Sequence, residues 1–205
     1  MEEMEAAGAE ATMMFIHWGV EYNTFANDEQ KAMAQKLCDL GIDVIVGGHP
    51  HVIQPVQLLE STVDPEHKTV VLYSMGNAVS NQLLGNLKSV QTAHTEDGVL
   101  FSVTFEKYSD GTVYLAEADI LPTWVNMHHN SNGKTEYNIL PLDAQRQEEW
   151  PTMFDIEEGT FNAAKNSHAR TMAIVGQGLA ECQEYLSQQK QAREEYYYQL
   201  VYGTE

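Results

Sequence analysis

Val44-Ile45-Val46-Gly47-Gly48-His49-Pro50-His51 is the stretch whose reading decides the fold. Three consecutive β-branched residues ended by glycine mark a short strand, and two imidazoles follow it with one proline between them. Proline fixes its φ near about −65°, so a histidine on either side has little freedom left to lose. Neutral imidazole is a ligand for zinc, manganese and iron, and the preceding glycines allow a backbone to come close to an ion or a phosphate. His49 and His51 are therefore candidate metal ligands. The alternative is that one closes the loop and the other is solvated.

Working back toward the amino terminus, Gly41 stops a helical pattern running from Asp28 to Leu40, for which Asn27 is the N-cap. Met33, Ala34, Leu37 and Leu40 recur on one helical face. Before that, Thr12 to Ile16 is an apolar run ending at His17-Trp18-Gly19, and residues 1 to 7 are helix-compatible with Gly8 as a stop. Strand, helix, strand with short connections is a βαβ unit, whose right-handed crossover makes the two strands parallel. Both strands then finish at one sheet edge, where ligand sites of open α/β sheets lie. His17 ends the first and His49 and His51 follow the second, so three histidines from two segments converge.

Past the pair, Val52 to Glu60 reads as a loop or short strand, and Thr69 to Tyr73 as a strand ending in a turn at Ser74-Met75-Gly76-Asn77. Val99 to Phe105 and Thr112 to Leu121 alternate around the turn Ser109-Asp110-Gly111, predicting an antiparallel hairpin. Pro122 to Asn138 is polar, and His128-His129-Asn130-Ser131-Asn132-Gly133 reads as an exposed loop with solvated histidines. Two helices are expected over 155–175 and 179–202, broken near Gly176-Gln177-Gly178. Of the tyrosines at 196 to 198 and 202, one or two are expected to pack and the rest to be exposed. Residues 1–150 thus form one domain and 151–205 a helical extension.

Thirty acidic against eleven basic residues leave a formal net charge of −19 over 205 residues. That balance, with no basic patch, argues against nucleic-acid or anionic-membrane binding. No window has the apolar length of a membrane span, and the acidic start Met1-Glu2-Glu3-Met4-Glu5 has the wrong charge for a signal peptide, so the expectation is a soluble chain. Cys38 and Cys182 match neither a disulfide framework nor a redox spacing.

Three motifs in order, Phe15-Ile16-His17-Trp18-Gly19-Val20-Glu21-Tyr22, Gly48-His49-Pro50-His51-Val52-Ile53-Gln54-Pro55 and Leu72-Tyr73-Ser74-Met75-Gly76-Asn77, resemble the bacterial capsule-synthesis, or poly-γ-glutamate synthesis, family of CapA type. That family is similar in fold to the calcineurin-like metallophosphoesterases. The resemblance implies an α/β fold, a partial calcineurin-like metallophosphoesterase sandwich of a βαβ unit plus an antiparallel hairpin. It implies that His17, His49 and His51 are metal ligands for a divalent manganese, iron or zinc ion, with His17 or His51 also moving a proton in phosphoester or polymer hydrolysis. The family's early aspartate ligands have no counterpart in residues 1 to 16, so the chain resembles the second half of a family member. The expected partner is the missing half or another copy of the chain, the expected substrate an anionic polymer or phosphoester, and the expected location the cell envelope. The competing expectation is a non-catalytic assembly module of a polymer-synthesis complex. Around the histidines, Glu21 could ligate, orient His17 or pair with a basic residue, and orientation is the preferred role. Trp18 is a packing residue or pocket wall. Ser74 and Asn77 either contact a substrate oxygen or hold a turn.

Overall fold

The computed structural model describes residues 2–203. Helix α1 (Glu2–Ala6) leads into strand β1 (Met13–His17), helix α2 (Asp28–Asp39) and strand β2 (Val44–Gly48). Strands β3 (Ile53–Glu60) and β4 (Lys68–Met75) complete a four-stranded sheet of order β1-β2-β4-β3. β1, β2 and β4 are parallel, and β3 runs antiparallel to β4. A second, antiparallel sheet contains β5 (Asp97–Lys107), β6 (Val113–His129) and β7 (Thr135–Pro141) in that order. A short helix α3 (Trp150–Phe154) precedes the long helix α4 (Glu158–Tyr202). The chain is a mixed α/β structure of two sheets, and its βαβ unit is the one its sequence predicts.

Helix α2 begins with a reciprocal cap: Gln30 N–H donates to Asn27 Oδ1 at 2.8 Å, and Asn27 N–H donates to Gln30 Oε1 at 3.0 Å. Its buried residues are Gln30, Ala34 and Cys38, while Met33 and Leu40 are exposed. The inward face is thus rotated from the apolar one. The cause is a buried amide pair, in which Gln30 Nε2 donates to Gln54 Oε1 at 2.7 Å and Gln54 Nε2 bonds the carbonyls of Asn23 and Phe25. A satisfied polar group is tolerated in a core.

Of the two alternatives for residues 52–60 the strand is the one that forms, and one further expectation changes. Residues 53–60 form a full strand that tolerates Pro55 because β3 is an edge strand, where a missing N–H breaks no ladder. The polar region after Pro122 is not a loop: β6 continues to His129, paired from Thr123↔Pro141 to His129↔Thr135 with β7. Only residues 130–134 turn.

Helix α4 crosses both sheets. Val175, Leu179, Cys182 and Leu186 share a cluster with Ile53, Val56, Val70 and Leu72 of the first sheet and Val99, Ala118 and Ile120 of the second. On the opposite face of the first sheet, Ala34 and Cys38 pack with Ile45, Val71 and Tyr73. Both cysteines are buried and free, and burial pushes the Cys182 thiol up to about 12. Gly176-Gln177-Gly178 does not break α4, which is continuous over its 45 residues. A Cβ on Gly178 would lie 1.9 Å from the Val56 carbonyl oxygen, so this glycine lets helix and strand touch. Toward its end, Tyr197 stacks on Tyr108 with centroids 4.6 Å apart and donates its hydroxyl to Asp110, while Tyr196, Tyr198 and Tyr202 are exposed.

Gly178→Ala is expected to destabilise the fold by about 2 kcal/mol through overpacking. Gly176→Ala, whose nearest neighbour is Met172 Cε at 3.6 Å, is expected to stabilise by roughly 0.5–1 kcal/mol. Urea unfolding of the two variants gives opposite shifts of midpoint. Hydrogen bonds from the Thr112 hydroxyl, Tyr197 and the Thr112 amide lower the Asp110 carboxyl to about 2. A depressed carboxylate stabilises above its unfolded value and loses that contribution as pH falls through the folded one. The midpoint gap between the natural chain and Asp110→Asn is therefore expected to close as pH falls from about 4 to about 2.

Candidate functional site

The histidines collect where β1 and β2 end together, in the register His17↔Gly48. Trp18 N–H donates to the Gly48 carbonyl at 3.1 Å and Tyr22 N–H to the Pro50 carbonyl at 2.7 Å, fastening the loop after β1 onto the histidine loop. The His17 and His49 rings lie 4.4 Å apart between centroids, and those of His49 and His51 6.2 Å. The three imidazoles share one rim of the first sheet. Among the described residues no three His, Cys, Asp or Glu side chains are grouped to hold a metal ion by themselves.

The backbone here is strained. His49 has φ +102° and His51 φ +59°, both in the region that disfavours side chains with a Cβ, and Tyr22 beside them has φ +63°. Each such residue costs on the order of 1–3 kcal/mol, and such residues cluster at functional sites. Proline does not hold the pair in ordinary extended geometry. The cross-loop hydrogen bonds and the packing of Pro50 hold it in a costly one.

Asn77 fixes the state of His51. Its Nδ2 donates to the carbonyls of His51 at 3.1 Å and Thr95 at 2.9 Å, so the carboxamide can face only one way. Its Oδ1 is then the atom 3.0 Å from His51 Nδ1. An oxygen there accepts, so in the neutral ring Nδ1 carries the hydrogen and Nε2 the lone pair. His51 Nε2 is the atom left for an ion or a proton. Asn77 N–H in turn donates to the Asp97 carbonyl at 3.2 Å. Asp97 is buried and held by Arg170 from α4 at 2.7 and 2.9 Å and by the Ser167 hydroxyl at 2.6 Å. Burial raises the Asp97 carboxyl above its usual range, against the opposing pull of Arg170, Ser167 and His94.

The other candidates divide. Trp18 is a packing residue whose Nε1 donates to the Tyr73 carbonyl at 2.8 Å. It crosses β2 at Gly47, where a Cβ would lie 2.3 Å from Nε1 and 2.0 Å from that carbonyl oxygen. Gly47 thus serves the tryptophan, and the space beside Gly48 is open. Ser74 is buried, with Oγ accepting from Gly76 N–H at 3.4 Å in the turn before Asn77. Glu21 is exposed and, among the described residues, makes no hydrogen bond with His17. His67 binds the Ile42 carbonyl at 3.2 Å, away from the site. The Asp97–Arg170 clamp was not legible, because 73 residues separate its partners. The pair His128 and His129 ends a strand, with His128 3.6 Å from Glu136.

The sequence model of the family described as bacterial capsule synthesis protein PGA_cap matches residues 1–82. This segment is similar to that family over about two fifths of the chain. The matched segment holds all three histidines, Trp18 and Asn77. The PGA biosynthesis protein CapA of Bacillus subtilis (strain 168) is 32% identical over 112 residues, which is 55% of this chain and 26% of that protein. The capsule biosynthesis protein CapA of Bacillus anthracis is 33% identical over 81 residues, 40% of this chain and 18% of that protein. The chain thus spans about a quarter or less of the capsule-synthesis relatives it matches.

Replacing His49 by glycine is expected to raise stability by about 1 kcal/mol, because glycine adopts a positive φ without steric cost. His49→Ala keeps the Cβ and lacks that gain. Thermal unfolding of the two variants side by side makes the comparison.

Proposed function

We propose that this chain acts in capsule poly-γ-glutamate biosynthesis at the cell envelope, as the names of its relatives suggest, and that His17, His49 and His51 form one wall of a divalent-metal hydrolytic site of the calcineurin-like kind. The observation that carries the reading is the placement of two strained histidines beside a third at the shared carboxyl edge of two parallel strands. Strain of this size persists only where the surrounding structure enforces it. The nitrogen donors suit manganese, iron or zinc, and the remaining ligands would be water, substrate or groups outside the described residues. A bound ion of this kind supplies a water of pKa about 7 and a Lewis acid for the substrate oxygen.

This chain's own part in the chemistry is to present donors and exclude alternatives. Asn77 holds His51 as the Nδ1–H tautomer, leaving Nε2 to ligate or to accept a proton. The loop bonds from Trp18 and Tyr22 keep His17 and His51 on one rim.

A second reading is a non-catalytic assembly module. It is favoured by the lack of a closed three-donor group among the described residues and by the free edge of β1, where Phe15 is 70% exposed and Met13 39%. An unpaired edge bearing apolar side chains is a template for a further strand, from a second copy or from the remainder of a family member.

Calorimetric titration with Mn²⁺ or Zn²⁺ separates the readings. The hydrolytic reading expects saturable binding that weakens about tenfold or more in His17→Ala, His51→Ala and Asn77→Ala, each checked for an intact unfolding transition. Equal affinity in the natural chain and all three variants would sink it. Mass in solution tests the free edge, with a dimer expected and lost on Phe15→Lys.

A further inference from the structure

His51 and Asn77 also form one end of a cleft of about 460 Å³ that opens between the segment 79–82 and strand β7. Its other polar walls are Ser80, Asn81, Gln82 and Tyr137. The volume is that of a small-molecule site, and its composition is unusual for this protein. In a chain of net charge −19, no Asp, Glu, Lys or Arg lines it. Hydroxyls and carboxamides, each able to donate and accept, surround a partly exposed aromatic ring.

The hydrogen-bonding capacity of these groups is largely unspent. Among the described residues the Asn81 carboxamide and the Tyr137 hydroxyl have no partner, and Ser80 Oγ only accepts, from Gln82 N–H at 2.9 Å. Gln82 uses Oε1 weakly, toward Asn77 Nδ2 at 3.5 Å, and its Nε2 is free. With no Lys or Arg in its lining, the cleft of this acidic protein offers a free polyanion no basic side chain to neutralise its row of carboxylates. A ligand that fits is uncharged, carries hydroxyls and amides, and has an apolar face for the tyrosine ring.

We propose that this cleft binds a neutral chain of N-acetylated amino sugars, with Tyr137 as the stacking platform and Asn81 and Gln82 reading the acetamide groups. The sugar chain enters along β7 and ends at His51. The cleft would then hold a glycan acceptor or anchor beside the site, while any anionic polymer lies outside it. The assignment of His51 as the reactive end rests on the hydrolytic reading above, but binding in the cleft does not.

The test uses the full chain, without added metal, titrated with N-acetylglucosamine tetramer and followed by amide chemical shifts. Saturable shifts at residues 79–82 and 137 are expected at millimolar ligand or below. Tyr137→Ala is expected to weaken binding about fivefold or more, Tyr137→Phe to retain most of it, and Asn81→Ala to weaken it less than Tyr137→Ala does. Tyr137 and Asn81 are exposed, so folding survives these changes. A γ-linked glutamate hexamer is expected to leave these residues unshifted. The proposal is overturned by absence of shifts with the sugar, by equal binding in Tyr137→Ala, or by stronger binding of the glutamate hexamer. Sugar binding without metal binding would retain this inference and remove the hydrolytic one.

Discussion

The carboxamide of Asn77 is the contact on which the site depends. Its nitrogen bonds two carbonyls, its oxygen bonds the His51 ring, and its own N–H reaches the Asp97 carbonyl. Three side-chain bonds and one backbone bond tie Asn77 to two other segments, so the histidine loop, the end of β4 and the start of β5 form one unit. Gly76 and Gly98 pair across the same junction, and a Cβ on Gly76 would lie 2.4 Å from the Asp97 carbonyl oxygen. The two sheets are joined here because two residues without side chains let their backbones meet.

Electrostatics extends that junction to α4. A buried carboxylate costs several kcal/mol unless it is paired and hydrogen-bonded. Asp97 is both, through the Arg170 guanidinium and the Ser167 hydroxyl, so the long helix has one register against β5 in which the charge is satisfied. Apolar packing of Val175 to Leu186 gives the helix its adhesion, and Gly178 sets its distance from β3. The result reaches His51 through Asp97 and Asn77, which makes α4 part of the support of the site.

Strain and charge point to different halves of the site. The histidine rim is held in backbone conformations that disfavour side chains, a cost that cross-loop hydrogen bonds sustain. The cleft beyond His51 is relaxed, neutral and rich in unspent donors and acceptors. The rim thus stores backbone strain, while the cleft leaves its hydrogen-bonding groups free.

Local pattern determined the βαβ unit, the hairpin around Asp110, the helical character of residues 158–202 and the convergence of His17, His49 and His51, because each follows from periodicity, capping or strand ends within short windows. The Asn27 cap was legible for the same reason. Tertiary structure decided what local pattern could not: the inward turn of α2 toward Gln30, which a buried partner on Gln54 makes tolerable, and the continuity of α4 through Gly178, where close approach replaces the break that two glycines suggest. It decided the extension of β6 past Pro122, since β7 supplied the pairing. It also brought Tyr137 into one cleft with His51, 86 residues away in sequence, which no short window of sequence could show.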